Sequence, residues 1–298
     1  MKKTIIAAAI AAVVSAPAFA DVKISGQINT EFKDTDNSDL ASGINSDIVI
    51  SGSEDLGNGM KASFKIHRFY DDVGGPSAGG DGDEQRVADQ TISLSGDFGS
   101  VTTGRMEPFI VSSITSMANI DASEDLDLEV APGDARTDGG LRYVSPNMNG
   151  LTVGVEGFAD GTSTGDDFAT TTIFAQYSNA GLTVKAAQET AQNGTSADVK
   201  VTALGVAYKM GDLEARVVHT DDDNGASADT ENTMYGVTYT MGANQFAIGR
   251  NNSDTANDED TIVSFKHSLS KSTSVYVVIE NDGAANSDTN LIGVKHSF

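Results

Sequence analysis

Beyond residue 20 the chain alternates apolar and polar positions in short runs broken by clusters of Gly, Asn, Asp and Ser, the period-two pattern of half-buried strands. In the first run Val22, Ile24, Gly26 and Ile28 share one face, with Lys23, Ser25, Gln27 and Asn29 on the other. After the turn Gly57-Asn58-Gly59, another run sets Met60, Ala62, Phe64 and Ile66 opposite Lys61, Ser63, Lys65 and His67. Further strands are expected at 47–53, 87–96, 100–105, around 141–143, and at 151–155, 168–178, 181–189, 199–210, 212–219, 231–241, 243–250, 260–269, 271–280 and 289–298.

The connections define the architecture. Seven are short, near Asn58, Phe98, Asn149, Asn179, Gly211, Ala243 and Lys271. Eight are longer and mostly acidic, at 33–46, 70–85, 106–135, 160–167, 190–198, 220–230, 251–259 and 281–288. The two kinds alternate strictly, so they join sixteen strands with every short turn and both chain ends on one side. This predicts an all-β fold, a sixteen-stranded antiparallel transmembrane β-barrel with short periplasmic turns and long external loops. A soluble β-sandwich would show the same alternation, but its strands run to about five or six residues. The runs here approach the roughly nine to eleven residues of a tilted membrane-crossing strand.

One connection departs from the rest. Residues 106–135 lack sustained alternation and carry Glu107, Asp121, Glu124, Asp125, Asp127, Glu129 and Asp134 without a single Lys or Arg. Long structureless connections inside compact domains are usually functional or disordered. The expectation is a loop that folds inside the wall.

Residues 1–20 read as a cleaved signal peptide: Lys2 and Lys3, an apolar stretch from Ile5 to Val14, then Ala18-Phe19-Ala20 before Asp21. Residues 21–298 form the barrel. No apolar run is long enough for a membrane helix, and the chain has no Cys, so stability must come from packing, backbone pairing or oligomerisation. The formal charge of −24 becomes −26 once the two leader lysines are removed. Such acidity argues against nucleic acid, whose phosphates need Lys and Arg, and fits either attraction of cations or simple solubility.

Several phrases together resemble the trimeric general-diffusion porins of Gram-negative bacteria: Ser51-Gly52-Ser53-Glu54-Asp55-Leu56-Gly57-Asn58-Gly59-Met60-Lys61-Ala62, Leu94-Ser95-Gly96-Asp97-Phe98-Gly99-Ser100-Val101, Gly104-Arg105, Leu141-Arg142-Tyr143-Val144-Ser145-Pro146 and Asn149-Gly150-Leu151. The final strand, with Ile292, Val294, His296 and Phe298 on one face, resembles the insertion signal of outer-membrane barrels, although His296 stands where an aromatic is more usual. The resemblance implies a homotrimer whose third external loop narrows the pore, acidic residues facing basic ones on the wall. It places the acidic side at Asp121 and Asp125, with Glu124 and Asp127 close competitors. The wall positions correspond to Gln27, Asp47, Ala88 and Arg136, of which only Arg136 is basic; Arg142 shares its face, and Arg86 substitutes if strand four shifts by two residues. The implied partners are its own copies, lipid and lipopolysaccharide, the outer-membrane assembly machinery, and small hydrophilic solutes and ions.

Other chemistry finds little support. Asp34 to Asp39 and Asp221 to Gly225 lack the glycine turn and distal Glu of a calcium loop, and Gly79 to Asp83 does not recur as a repeat would. His67, His219, His267 and His296 lie on separate strands with no nucleophile motif, and no phosphate-binding glycine loop is present. Neither metal, cofactor nor enzymatic activity is expected. The expected function is passive diffusion through a water-filled, cation-preferring channel, since charged rings set selectivity by the sign of the barrier they impose. The alternatives are a substrate-selective channel, for which Phe174 and Tyr276 are the inward aromatics available, or a non-conducting adhesion or structural barrel.

Overall fold

The computed structural model describes residues 21–36, 38–72, 85–120, 136–159, 168–192, 198–223, 229–254, 259–283 and 287–298. Sixteen strands form one closed antiparallel barrel. They are β1 (Asp21–Thr35), β2 (Ala41–Gly57), β3 (Met60–Asp72), β4 (Gln85–Gly96), β5 (Gly99–Met106), β6 (Thr137–Val144), β7 (Leu151–Phe158), β8 (Thr170–Asn179), β9 (Leu182–Ala191), β10 (Val199–Met210), β11 (Leu213–Asp223), β12 (Thr230–Met241), β13 (Asn244–Ser253), β14 (Glu259–Ser268), β15 (Thr273–Asp282) and β16 (Ser287–Ser297). Each pairs with its sequence neighbours, and β1 also pairs with β16. The expected leader, residues 1–20, lies outside the described residues.

The short turns take the form that strand twist favours. Asn58–Gly59 has φ of 53° and 76°, and Ala180–Gly181 has 49° and 86°. Positive φ at both central residues is the hairpin geometry that continues the right-handed twist of the flanking strands. On the opposite side the strands outrun their expected ends: β1 reaches Thr35 and β2 begins at Ala41, where a loop is expected over 33–46. Alternation of hydrophobicity stops at the membrane boundary, whereas the backbone ladder continues with Lys33 paired to Ala41 and to Leu291.

The two faces of the wall differ as the period requires. On β16 Ile292 and Val294 are 57% and 48% exposed, as is the terminal Phe298 at 53%, and Tyr208, Tyr235 and Tyr239 are exposed beside similar rows elsewhere. An apolar belt around a closed barrel is suited to lipid. The inward face is less polar than the sequence suggests. Ala187, Val201, Ala203, Val218, Met234, Ile262, Val278 and Leu291 all point inward in register and are buried. Those on β9 to β12 seat an internal segment, which needs an apolar surface to pack on.

Closure is reinforced from inside. Tyr276 on β15 lies across Gly293 on β16, where a Cβ would overlap its ring. The ring therefore reaches over β16, and its hydroxyl donates to Asn29 Oδ1 at 2.6 Å and engages Glu31 on β1. Asn29 Nδ2 in turn donates to Glu31 at 2.6 Å, and all three side chains are buried. At the chain end, Gly26 and Phe298 exchange two backbone bonds of 3.1 and 3.0 Å. Tyr276→Phe should lower the unfolding free energy by about 1–3 kcal/mol, the cost of stripping a buried partner. Gly293→Val should cost more by displacing the ring, and guanidinium unfolding of the refolded barrel in detergent checks both.

Candidate functional site

The long connection after β5 is not structureless. Ile110–Ile114 forms a π-helical turn and Thr115–Ala118 a 3-10 turn. Ser112, Thr115 and Ser116 donate their hydroxyls back to the carbonyls four residues earlier, so their polar groups are satisfied locally. Ile110, Ile114 and Met117, at spacings of four and three, make one buried apolar stripe. That helical spacing is the signal in the sequence that a search for alternation passes over.

This stripe packs on the inward faces of β8 to β12. Phe109 stacks on Phe174 with centroids 3.7 Å apart and planes 9° from parallel. Gly205 and Gly236 keep the wall shallow: a Cβ at Gly205 would sit 2.7 Å from Met117 Sδ, and one at Gly236 2.8 Å from Ile120 Cγ2. Two cations hold the carbonyl groups along the segment. Lys185 Nζ donates to Ser113 O at 2.7 Å, and Arg216 Nη1 donates to Asn119 O at 3.0 Å while its Nε pairs with Glu214 at 2.7 Å. The four acidic positions expected at the constriction, Asp121, Glu124, Asp125 and Asp127, lie outside the described residues.

The wall from β1 to β7 carries a continuous polar network. Gln27 and Asp47 are register partners on β1 and β2. Asp47 Oδ2 lies 2.9 Å from His67 Nε2 on β3. On β4 the register shifts opposite His67, so Ala88 and Asp89 together face one residue of β3; Ala88 is buried at 1% exposure and contributes no charge. Asp89 lies 2.6 Å from Lys65 Nζ, 3.7 Å from His67 Nδ1 and 3.7 Å from Arg136 Nε. Arg136 Nη2 reaches Glu107 at 3.1 Å, with the guanidinium carbon 5.0 Å from the centre of the Phe69 ring. Arg142 Nη2 donates to the Glu107 carbonyl at 2.6 Å, and its Nε pairs at 2.6 Å with Glu156, whose side chain is fully buried. Glu156 Oε1 also accepts the Phe109 N–H at 2.7 Å, fixing the start of the internal segment.

Asp47, Arg136 and Arg142 thus join one network, Gln27 flanks it, and Ala88 supplies the bulge that presents Asp89. Arg86 pairs through its backbone with Phe69. Sequence reasoning passes over Asp89 and Glu156. Glu156 leaves a trace, as the one ionisable residue of its strand, on the face opposite Val153 and Val155. Asp89 leaves little, because the bulge shifts its register. Phe174 and Tyr276 do point inward, but both are occupied, one by Phe109 and the other by Asn29 and Glu31, so neither offers a bare face for a solute.

Two expected outcomes test this geometry. Arg142→Met leaves the Glu156 carboxylate buried without its cation and should cost about 3–5 kcal/mol, while Arg142→Met/Glu156→Gln should recover most of it in guanidinium unfolding. Gly205→Val should push Met117 and Ile114 off the β10 wall and change single-channel conductance without changing barrel content by circular dichroism.

A family model for Gram-negative porins matches residues 7–287. Comparison with curated protein sequences gives no match. Among solved structures, an anion-selective porin from Comamonas acidovorans is 20% identical, with a TM-score of 0.73 over 94% of this chain and 100% of its own. OmpF of Salmonella typhi, in complex with daunomycin, is 15% identical, with a TM-score of 0.75 over 93% of this chain and 97% of its own. A loop-deletion variant of OmpT, an outer membrane protein of Vibrio cholerae, is 16% identical, with a TM-score of 0.69 over 94% and 99%. These likenesses establish the shared barrel, and the matched family is one of channels rather than enzymes. The chain belongs to the Gram-negative porin family, and its barrel is a diffusion channel of the outer membrane.

Proposed function

We propose that this channel prefers cations, and that residues 106–135 form its constriction. The observation that carries the reading is the pairing on the wall. Lys65, Arg136 and Arg142 are each matched by a carboxylate among Asp89, Glu107 and Glu156, and Asp47 adds a further one beside His67. A paired cation presents little net field to a passing ion, so the charge left over on this part of the wall is negative. In a chain of net charge −24, the acidic residues Asp121, Glu124, Asp125 and Asp127 then face a wall that does not cancel them. The Comamonas porin is anion-selective, but at 20% identity its selectivity does not transfer to this lumen.

The channel in this reading passes small hydrophilic solutes and ions down their gradients. It acts as a homotrimer among lipid and lipopolysaccharide after removal of residues 1–20. Val294, His296 and Phe298, outward on the last strand at two-residue spacing, serve recognition by the assembly machinery; the resemblance of that strand to the insertion signal supports this.

Reversal potentials across a potassium chloride gradient should show potassium favoured over chloride, and chloride preference would overturn the reading. Asp89→Asn, which removes the carboxylate beside Lys65 and Arg136, should lower the potassium-to-chloride ratio by roughly tenfold or more, since one unit charge about 5 Å away at water-like dielectric shifts each ion about fourfold in opposite directions. Asp121→Asn/Asp125→Asn should lower it as well, and an unchanged ratio would remove those two residues from the constriction.

A further inference from the structure

At the short-turn mouth, away from the network on β1 to β7, three lysines and six hydroxyl side chains enclose a recess of about 250 Å³. The lysines are Lys266, Lys271 and Lys295, and no carboxylate is among the described lining residues. In a chain with 43 acidic and only 19 basic residues, such a lining runs against the composition and marks a local reversal of charge.

The recess is built by register and by a fixed turn. Lys266 pairs with Tyr276, and Ser274 with Lys295, which puts Lys266, Ser274 and Lys295 on the inward face of three adjacent strands. Lys271 lies exposed on the turn between β14 and β15. That turn is held by Leu269 N–H and Ser270 N–H, which both donate to Thr273 O, at 2.8 and 3.1 Å. Ser297 N–H donates to Ser272 O at 2.8 Å and ties the turn to β16. Ser270 Oγ accepts the N–H groups of Ser272 and Thr273 at 3.1 and 3.0 Å, so its own hydrogen is left to donate. On β1 the register partner of Lys295 is Asn29, and Glu31 beyond it engages Asn29 and Tyr276. Among the described residues no ion pair joins Lys266 or Lys271 to a carboxylate.

We propose that this recess binds a small tetrahedral oxyanion, inorganic phosphate or a phosphomonoester, at the periplasmic mouth of the channel. Lysine ammonium groups act as point charges for phosphate, and hydroxyls supply donors to its remaining oxygens. The recess has room for a phosphate carrying a small organic substituent. Because its strand residues face the lumen, the ligand comes from water and not from the lipid. The site raises the local concentration of such anions at one mouth. The inference rests on the barrel and its orientation, and is independent of ion preference at the constriction.

The test is ³¹P line broadening of inorganic phosphate with the refolded full-length barrel in detergent, at constant ionic strength. Saturable broadening is expected, displaced by sulfate and not by equal chloride. Lys266→Gln and Lys271→Gln should each weaken binding roughly tenfold, the value of one charge-assisted hydrogen bond. Lys61→Gln, on the same rim but on β3, should leave it unchanged. Lys271 is exposed on the turn, so its variant keeps the fold, and a heat-modifiable gel band checks the Lys266 variant. Broadening that does not saturate, that chloride abolishes equally, or that Lys266→Gln and Lys271→Gln both leave at unchanged affinity overturns the proposal.

Discussion

In hydrocarbon an unpaired peptide group has no water to turn to, so the first strand of this chain must find the last. That demand shapes the seam at β1 and β16 more than any other part of the wall. The two strands share a ladder from Gln27–Ser297 to Thr35–Thr289, and Gly26 closes it against the terminal residue. Tyr276 adds a second tie by crossing a glycine on β16 to reach β1. The aromatic ring replaces the side chain that Gly293 lacks, so the thin point of the strand becomes a contact rather than a gap.

Once closed, the barrel divides its interior between two kinds of surface. Between β8 and β12 the inward face carries a buried apolar patch that takes up Phe109, Ile110, Ile114 and Met117. From β2 to β7 it is polar and carries the ion-pair network. The internal segment spans this division: Glu156 and Arg142 fix its start at the polar side, and Lys185 and Arg216 fix carbonyls along its far part. Apolar packing alone would let such a segment slide along the wall. Hydrogen bonds at both ends set its register, since a displaced segment would leave a buried carboxylate without its N–H donor.

Strand number, order and orientation were legible because alternation and turn chemistry report on each hairpin separately. Asn58-Gly59 announces its turn whatever the rest of the chain does. Asp89 was not legible, because its facing depends on a bulge whose position is settled by pairing with β3. The short helical turns at 110–118 were hidden for a different reason. Their spacing is visible, but only the inward Ala, Val and Met residues of β9 to β12 explain why an apolar helix turn would sit inside a pore. On β10, Ala203 to Tyr208 reads in sequence as an unbroken apolar run whose two faces cannot be told apart. Ala88, an uncharged wall position in the sequence, instead helps present the neighbouring acid.

Why cations on such a wall should be paired follows from where they sit. Arg142 and Glu156 are largely removed from water, and either charge alone there carries a desolvation cost of several kcal/mol. Together they hold their charges while cancelling most of the field beyond a few ångströms. The guanidinium still has donors to spare, and it spends one on the Glu107 carbonyl. Arg142 is therefore better understood as a bracket for the internal segment than as a ring of positive potential. Arg136, shared between Asp89 and Glu107 over the face of Phe69, is placed in the same way. Counting basic residues along a porin wall thus overstates its positive field wherever each one is engaged by a neighbouring acid. The quantity that sets selectivity is the charge left over after pairing.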